Sequence, residues 1–285
     1  MLTEALSLSS ELRNGFMVLF CLFFLGLTRG NRGRMSEALA TLNEAIELGR
    51  RNGERYQTLK VPNSIGWIHR ELGDLDHAIE HDRAGVEIAR QHQLLEAEIN
   101  SVINLGYDYT HQGELEKSPP AFREAEAMLE RDEWCRWRVN LRLQDGSAEY
   151  WLTQGDLGRA EECARRLLQA ATHHGVPKYI AVAHKLLAEV GIARGDLTAG
   201  ETQLNAALDQ LREFPAPLVA WRIYAALGRL RLQMGESASA REAFAQAAKI
   251  VEQIAANVSD EKLQVTFLNS ALVREVLEAT NVLYH

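Results

Sequence analysis

A glycine turn returns about every forty residues along the whole chain. Six short segments share one pattern: Asn31-Arg32-Gly33-Arg34, Leu72-Gly73-Asp74-Leu75, Gln112-Gly113-Glu114-Leu115, Gln154-Gly155-Asp156-Leu157, Arg194-Gly195-Asp196-Leu197 and Met234-Gly235-Glu236-Ser237. Their glycines stand at 33, 73, 113, 155, 195 and 235, spaced 40, 40, 42, 40 and 40 residues apart. Such a register means one supersecondary unit used six times. Seven residues before each glycine stands Gly26, Gly66, Gly106, Ala148, Ala188 or Gly228, and five after it Ala38, Ala78, Ser118, Ala160, Gly200 or Ala240. Small residues at matched distances on both sides of a turn let two antiparallel helices approach closely. The glycine supplies the left-handed backbone that ends the first helix. Asp74, Asp156 and Asp196 are placed to cap the second. Neither helix buries its apolar stripe alone, so neighbouring hairpins must stack.

Composition agrees. The 285 residues are 46% hydrophobic and 25% charged, with only 6 prolines, and Ala, Leu, Glu and Arg dominate. These are strong helix formers, in enough quantity for a sizeable core. The formal net charge of -8 repels phosphate backbones, which counts against nucleic acid as a partner. Cys21, Cys135 and Cys163 are far apart and form no CxxC pair. They read as packing residues of a reducing compartment rather than as a disulfide or zinc framework. The apolar run Phe16–Leu27, FMVLFCLFFLGL, is 12 residues long, short of the roughly 20 needed to span a bilayer. Glu4, Glu11 and Arg13 precede it in place of a basic leader. It reads as a buried helix of a cytoplasmic protein with no membrane partner.

The columns resemble the tetratricopeptide repeat (TPR): a small residue, a turn glycine, then two small residues in the second helix. The usual repeat has about 34 residues, so each helix here is longer by nearly one turn. The resemblance implies an all-α, right-handed α-solenoid, a single domain over 1–285. It contains about six hairpins across 16–256, preceded by the second helix of a partial repeat (1–14) and closed by a capping helix pair (257–285). A start halfway through a repeat suggests a cut domain. Ser259 is the expected N-cap of the tail, ahead of Asp260 and Glu261. Two departures stand out. Ser118-Pro119-Pro120 falls inside an expected second helix, which should therefore begin near Pro119. Asp82 occupies a place usually bulky and apolar, where a charge faces packing unless it turns outward. The stretches NSIGWIHREL (63–72), EAEINSVINLGYDYT (96–110) and KYIAVAHKLLAE (178–189) resemble the C-terminal repeat regions of large bacterial signalling regulators. Those regulators join a kinase, cyclase or DNA-binding domain to a STAND-type ATPase and then to repeats. That resemblance implies a sensor or interaction arm.

In a TPR stack the first helix of each pair lines a concave groove, through the residues thirteen, ten, six and three before the turn glycine. Those offsets give Phe20, Phe23 and Leu27, then Lys60, Asn63, Trp67 and Arg70, then Asn100, Ile103 and Tyr107. They continue with Arg142, Asp145 and Glu149, then Lys185 and Glu189, then Arg222 and Arg229. The groove should be apolar at its N-terminal end and mixed in charge beyond. The partner-binding candidates are Asn63, Trp67, Arg70, Asn100, Asn104, Tyr107, Asp108, Arg142, Glu149, Lys185, Glu189 and Arg222. Asn63, Trp67 and Arg70 share one helix face, and Trp, Tyr and Arg anchor partners most often. Asn100, Asn104 and Asp108 share another, where amides either bind a peptide backbone or satisfy neighbouring helix ends. Charges such as Lys185 and Arg222 have no obvious packing role on a concave face. Phe20, Phe23 and Leu27 read as core against a preceding repeat, or, if exposed, as a homo-oligomer surface across 16–27. Arg136, Arg138 and Arg142 beside Trp134 and Trp137 form a basic, aromatic patch, read as packing and ion pairs or as a ligand site.

Other signals are set aside. Arg194-Gly195-Asp196 is a repeat turn. The nine histidines, His173-His174 among them, show no HExxH or other metal spacing. No GxxxxGK[ST] loop or nucleophile elbow is present, and Glu96 with Glu98 and Glu161 with Glu162 read as solvated faces. The sequence therefore points to a non-catalytic scaffold without cofactor or metal that holds a protein or peptide in its groove. The alternative is a small-molecule sensor with a metabolite in the same place.

Overall fold

All six turn glycines adopt positive φ, between 75° and 85°, so each supplies the left-handed step that a helical hairpin needs. The structure, a computed structural model, describes residues 1–131 and 136–282. Cys135 and Trp134 lie outside the described residues. A short α1 (Leu2–Glu11) precedes six hairpins. These are α2 (Gly15–Asn31) with α3 (Met35–Asn52), α4 (Val61–Glu71) with α5 (Leu75–Gln91), and α6 (Leu95–Gln112) with α7 (Ser118–Leu129). They continue as α8 (Arg136–Thr153) with α9 (Leu157–His173), α10 (Pro177–Ala193) with α11 (Leu197–Gln210), and α12 (Pro217–Gln233) with α13 (Ser237–Ala256). A final pair, α14 (Glu261–Asn269) and α15 (Ala271–Val282), follows the last hairpin. Among the described residues no helix is long and apolar enough to cross a membrane.

The small column before each turn works as a socket for the side chain nine residues after it. A Cβ on Gly26 would lie 2.7 Å from Leu42, one on Gly106 2.4 Å from Phe122 and one on Gly228 2.8 Å from Phe244. In the second hairpin the plug is Asp82, whose Oδ2 would meet a Gly66 Cβ at 2.4 Å. Asp82 is thus fully buried and does not turn outward. It stays because Asn104 Nδ2 donates to its Oδ1 at 2.9 Å, while its Oδ2 has no hydrogen-bond partner.

Helix starts follow local chemistry. α7 begins at Ser118 with its prolines in the first turn, where the missing N–H groups cost nothing. Asp156 and Asp196 cap as expected, accepting from the amides of Arg159 and Ala199 at 3.0 Å. Asp74 sits at the same N-cap position without that bond, because its carboxylate is taken by His69 and His77. The cap of α14 is Asp260, accepting from the Leu263 amide at 2.9 Å, and not Ser259. The Ser259 hydroxyl instead donates to Ser36 Oγ at 2.8 Å.

That last bond marks the main tertiary feature: the superhelix closes on itself. The Ser36 amide donates to Asn257 O at 3.1 Å and the Ser259 amide to Ser36 Oγ at 2.7 Å. A Cβ on Gly33 would lie 3.0 Å from Ile254. Leu19, Leu22 and Leu42 of the first hairpin share one core with Trp221, Phe244 and Phe267 from the far end. Closure completes the core expected over Phe16–Leu27. Leu19, Cys21, Leu22 and Phe23 are buried in the described chain, with no preceding repeat required, and only Phe16 and Met17 remain as exposed large apolar residues of that run. Leu8, Leu12, Phe16 and Met17 stay exposed at this end of the chain.

Candidate ligand-binding interior

Closure narrows the concave groove to an interior that stays partly open. The first helices of hairpins two to six surround a cavity of about 110 Å³. α4 contributes Trp67, Arg70 and Glu71; α6 Tyr107 and His111; α8 Arg142, Asp145 and Glu149; α10 Lys178, Tyr179, Val182 and Lys185; α12 Leu218, Val219 and Arg222. Of the residues picked from sequence offsets, Trp67, Arg70, Tyr107, Arg142, Glu149, Lys185 and Arg222 line this space. Asn63, Asn104 and Asp108 lie buried beneath it. Asn100 accepts from Arg142, and Glu189 pairs with Lys185 at 3.0 Å. Phe20, Phe23 and Leu27 belong to the core cluster and its surroundings rather than to an apolar mouth of the groove.

One side of the interior is a connected wall. Arg70 Nη1 donates to Asp108 Oδ1 at 3.0 Å, and its guanidinium lies 4.7 Å from the Tyr107 ring centroid. Asn104 Nδ2 donates to Asn63 O at 2.8 Å as well as to Asp82, and Asn104 Oδ1 accepts from Arg142. Tyr107 Oη donates to Arg142 O at 2.8 Å. Burial, then the Asp108 charge, pushes the Asp82 carboxyl well above the usual range. Burial raises the Asp108 carboxyl as well, against the pull of Arg70. Burial opposes the charge of Arg70, but Asp108, Glu71 and Asp82 outweigh it and keep the guanidinium firmly protonated. The Asn104 amide thus serves neighbouring helices and is not free for a peptide backbone, while Asn63 Oδ1 accepts from Ser64 Oγ of its own helix.

The other side is held by latches. Arg222 Nη2 pairs with Glu71 Oε2 at 2.8 Å across the cavity, and Trp67 Nε1 donates to Glu71 Oε1 at 3.0 Å. Lys178 Nζ donates to Asn31 Oδ1 at 2.7 Å, joining hairpin five to hairpin one. Burial works against the Glu71 charge, yet Arg222, Arg70 and Lys178 hold its carboxyl below the usual range. Burial lowers the Lys178 ammonium despite Glu71 and Asp145. Asp145 is pushed up to about 7 by burial and by Glu149, and its Oδ1 has no hydrogen-bond partner. Glu149, against its own burial, is drawn down by the His111 hydrogen bond and by Lys185 and Arg222. Lys185 and Arg222, expected to lack packing partners, therefore do have them.

The offsets did not supply Glu71, His111, Lys178 or Tyr179. Lys178 and Tyr179 sit in the first turn of α10 and enter the cavity only because the superhelix closes. The basic, aromatic patch resolves into ion pairs and stacking. Arg138 and Lys60 both reach Glu96 at 2.5 Å, and Trp137 stacks on His174 at 4.4 Å. Glu96 is only 12% exposed and so does not sit on a solvated face. Burial pushes the Cys163 thiol up to about 11, which keeps it protonated and a poor nucleophile. At the turn of the second hairpin, chain folding sets His69, Asp74 and His77 with their donor atoms within 4.8 Å of one another, a grouping that linear histidine spacing did not reveal.

Comparison with known proteins places this geometry. Residues 92–269 match the profile of MalT-like TPR regions, and residues 17–91 match a tetratricopeptide repeat profile. A search of curated protein sequences found no match. Among solved structures, NprR in complex with its cognate peptide NprX superposes with a TM-score of 0.68 at 14% identity, covering 98% of this chain and 82% of that one. NprR in its apo form is from B. thuringiensis. Rap protein complexed with competence and sporulation factor gives a TM-score of 0.67 at 12% identity, covering 95% and 77% of the two chains. A signal transduction ATPase with numerous domains (STAND) and a TPR sensor, from Pyrococcus horikoshii, gives 0.59 at 13% identity. It covers 97% of this chain, which spans 38% of that protein.

Proposed function

This chain belongs to the MalT-like TPR family, and on that basis we propose that it is a sensor scaffold that takes a short peptide into the interior of its superhelix. The observation that carries the reading is the interior itself, where five cations, three carboxylates and three aromatic rings converge on one cavity. A packing core would be apolar there, because each buried charge has a desolvation cost. The excess of Arg and Lys favours a ligand with a carboxylate, either a peptide C-terminus or an acidic side chain. Rap and NprR, of similar fold, are described with competence and sporulation factor and with a cognate peptide, which supports a peptide as the ligand class.

A cavity of about 110 Å³ holds only a few waters, each taking roughly 30 Å³. A peptide enters only if the latches Arg222–Glu71 and Lys178–Asn31 release and the superhelix widens. Binding is then a shift from a closed to an open ring, a signal a longer regulator can read. In this reading residues 1–285 act as one solenoid domain in a bacterial cytoplasm, as an interaction arm without catalytic turnover. The test is a library of random short peptides selected on the purified chain, with hits titrated by intrinsic Trp fluorescence. Carboxylate-bearing peptides should be selected, and Arg222→Gln with Lys185→Gln should weaken them by about tenfold or more, some 1.4 kcal/mol. Equal affinity for both proteins contradicts the site. The small volume also favours a second reading, a compact anionic metabolite bound without opening. It predicts that small dicarboxylates raise the melting temperature by mass action, with no change in hydrodynamic size.

A further inference from the structure

The turn of the second hairpin differs from those of the fourth and fifth hairpins. His69 lies in the last turn of α4, Asp74 at the N-cap of α5 and His77 in its first turn. His69 Nδ1 is 2.9 Å from Asp74 Oδ2, and His77 Nδ1 is 2.9 Å from both Asp74 oxygens. His81, one turn further along α5, stacks on His69 with ring centroids 5.4 Å apart. The places of His69 and His77 are taken by Trp151 and Arg159 in hairpin four and by Gly191 and Ala199 in hairpin five. In those hairpins Asp156 and Asp196 cap their helices through backbone amides. Asp74 forgoes a bond worth about 1 kcal/mol and turns its carboxylate to two imidazoles instead.

We propose that His69, Asp74 and His77 form a binding site for a zinc-type divalent transition-metal ion, completed by water. Metal–nitrogen and metal–oxygen bonds of about 2.0–2.2 Å in tetrahedral geometry set ligand atoms roughly 3.3–3.5 Å apart. The 2.9 Å contacts reach that spacing with shifts of a few tenths of an ångström, and the two imidazole nitrogens, within 4.8 Å of each other, reach it by rotation of the exposed His77 side chain. Two imidazoles with one carboxylate suit zinc, nickel or copper and not magnesium or calcium. The site is open on one side, since His77 is 61% exposed while His69 and Asp74 are 16% and 20% exposed. That exposure leaves room for the water ligand. The ion would tie α4 to α5 across Gly73, whose turn rests near Ser270 at the α14–α15 junction. Because α4 carries Trp67, Arg70 and Glu71, the tie would stiffen the helix that holds the interior wall. This proposal stands apart from the peptide reading and does not need it.

The test titrates the full, chelator-treated chain with zinc chloride by calorimetry and with cobalt chloride by visible absorption. The expected result is one ion per chain and the intense d–d bands of a four-coordinate cobalt site. Both should be lost in His77→Ala and in Asp74→Asn and kept in His173→Ala. His77 is exposed, so its replacement should leave the helical circular dichroism unchanged, and that spectrum is recorded alongside. Absence of stoichiometric binding, binding that survives His77→Ala, or equal displacement by magnesium chloride would each overturn the proposal.

Discussion

The two sides of the interior are built differently. On the α4–α6–α8 side, polar groups bond to the neighbouring hairpin: Arg70 to Asp108, Asn104 to Asn63 O, Tyr107 to Arg142 O. On the α10–α12 side they bond within their own helix, as Lys185 does to Glu189 and Arg222 to Leu218 O, or reach across to the far end of the ring, as Lys178 and Arg222 do. The first arrangement is a wall tied from hairpin to hairpin, with Asp82 Oδ2 and Asp108 Oδ2 left unpaired inside it. The second is a set of single bonds that a ligand can replace one for one. A buried network bonded across several hairpins is stiff, and groups held by a single bond are where a structure yields. Recognition should therefore be decided on the latch side and stability on the wall side.

That contrast is broken most severely at Arg70. Arg70→Ala leaves Asp108 and Asp82 buried without their cation and should lower unfolding free energy by about 3–5 kcal/mol, measured by urea denaturation. A loss under about 1 kcal/mol would mean that the wall contributes little. Next comes Gly66→Ala, which drives a methyl group against the pinned Asp82 carboxyl. It should cost about 1–3 kcal/mol. The same change at Gly53, where nothing lies within 4 Å of a Cβ, tests only the backbone strain of φ +65°. On the latch side, Arg222→Gln should lower stability by less than about 1 kcal/mol. It should leave the hydrodynamic radius unchanged, because the shared core of Leu19, Leu22 and Leu42 with Trp221 and Phe244 still closes the ring. A smaller effect belongs to Asp145. Its carboxyl titrates at about 7 in the folded chain, above its unfolded value. The folded state therefore holds an extra proton, and stability is fully present below the unfolded value and falls as pH rises through about 7. Asp145→Asn removes that dependence and should raise the melting temperature at pH 8, by about 2–4 °C for each kcal/mol recovered, and leave it unchanged at pH 3.

Much of the fold was legible because it is local. A turn glycine at positive φ and a small residue seven positions before it are constraints written within one hairpin, and they repeat. The offsets in the first helices likewise found Trp67, Arg70, Tyr107, Arg142, Lys185 and Arg222, because the facing side of a helix is fixed by its period. What sequence could not supply is the accumulated rotation from hairpin to hairpin. Only that rotation brings Lys178 to Asn31, Arg222 to Glu71 and Ser259 to Ser36. It also adds Trp221, Phe244 and Phe267 to the core that holds Leu19, Leu22 and Phe23. Asp82 faces packing as its position implied, but its partner Asn104 comes from the next hairpin and was not visible locally. Asp74 failed as a cap because His69 and His77 arrive from both sides of the turn, four residues before and after the glycine.

The central claim is that the interior is a ligand site guarded by the latch residues. The most direct test incubates the chain with a low-molecular-weight extract of a producing cell, removes free material and identifies what is retained by mass spectrometry. A Trp67→Ala, Lys185→Glu, Arg222→Glu variant of equal helicity is run in parallel. A short peptide carried by the wild type and absent from the variant is the predicted result. A peptide retained equally by both proteins would place binding outside the interior and contradict the claim.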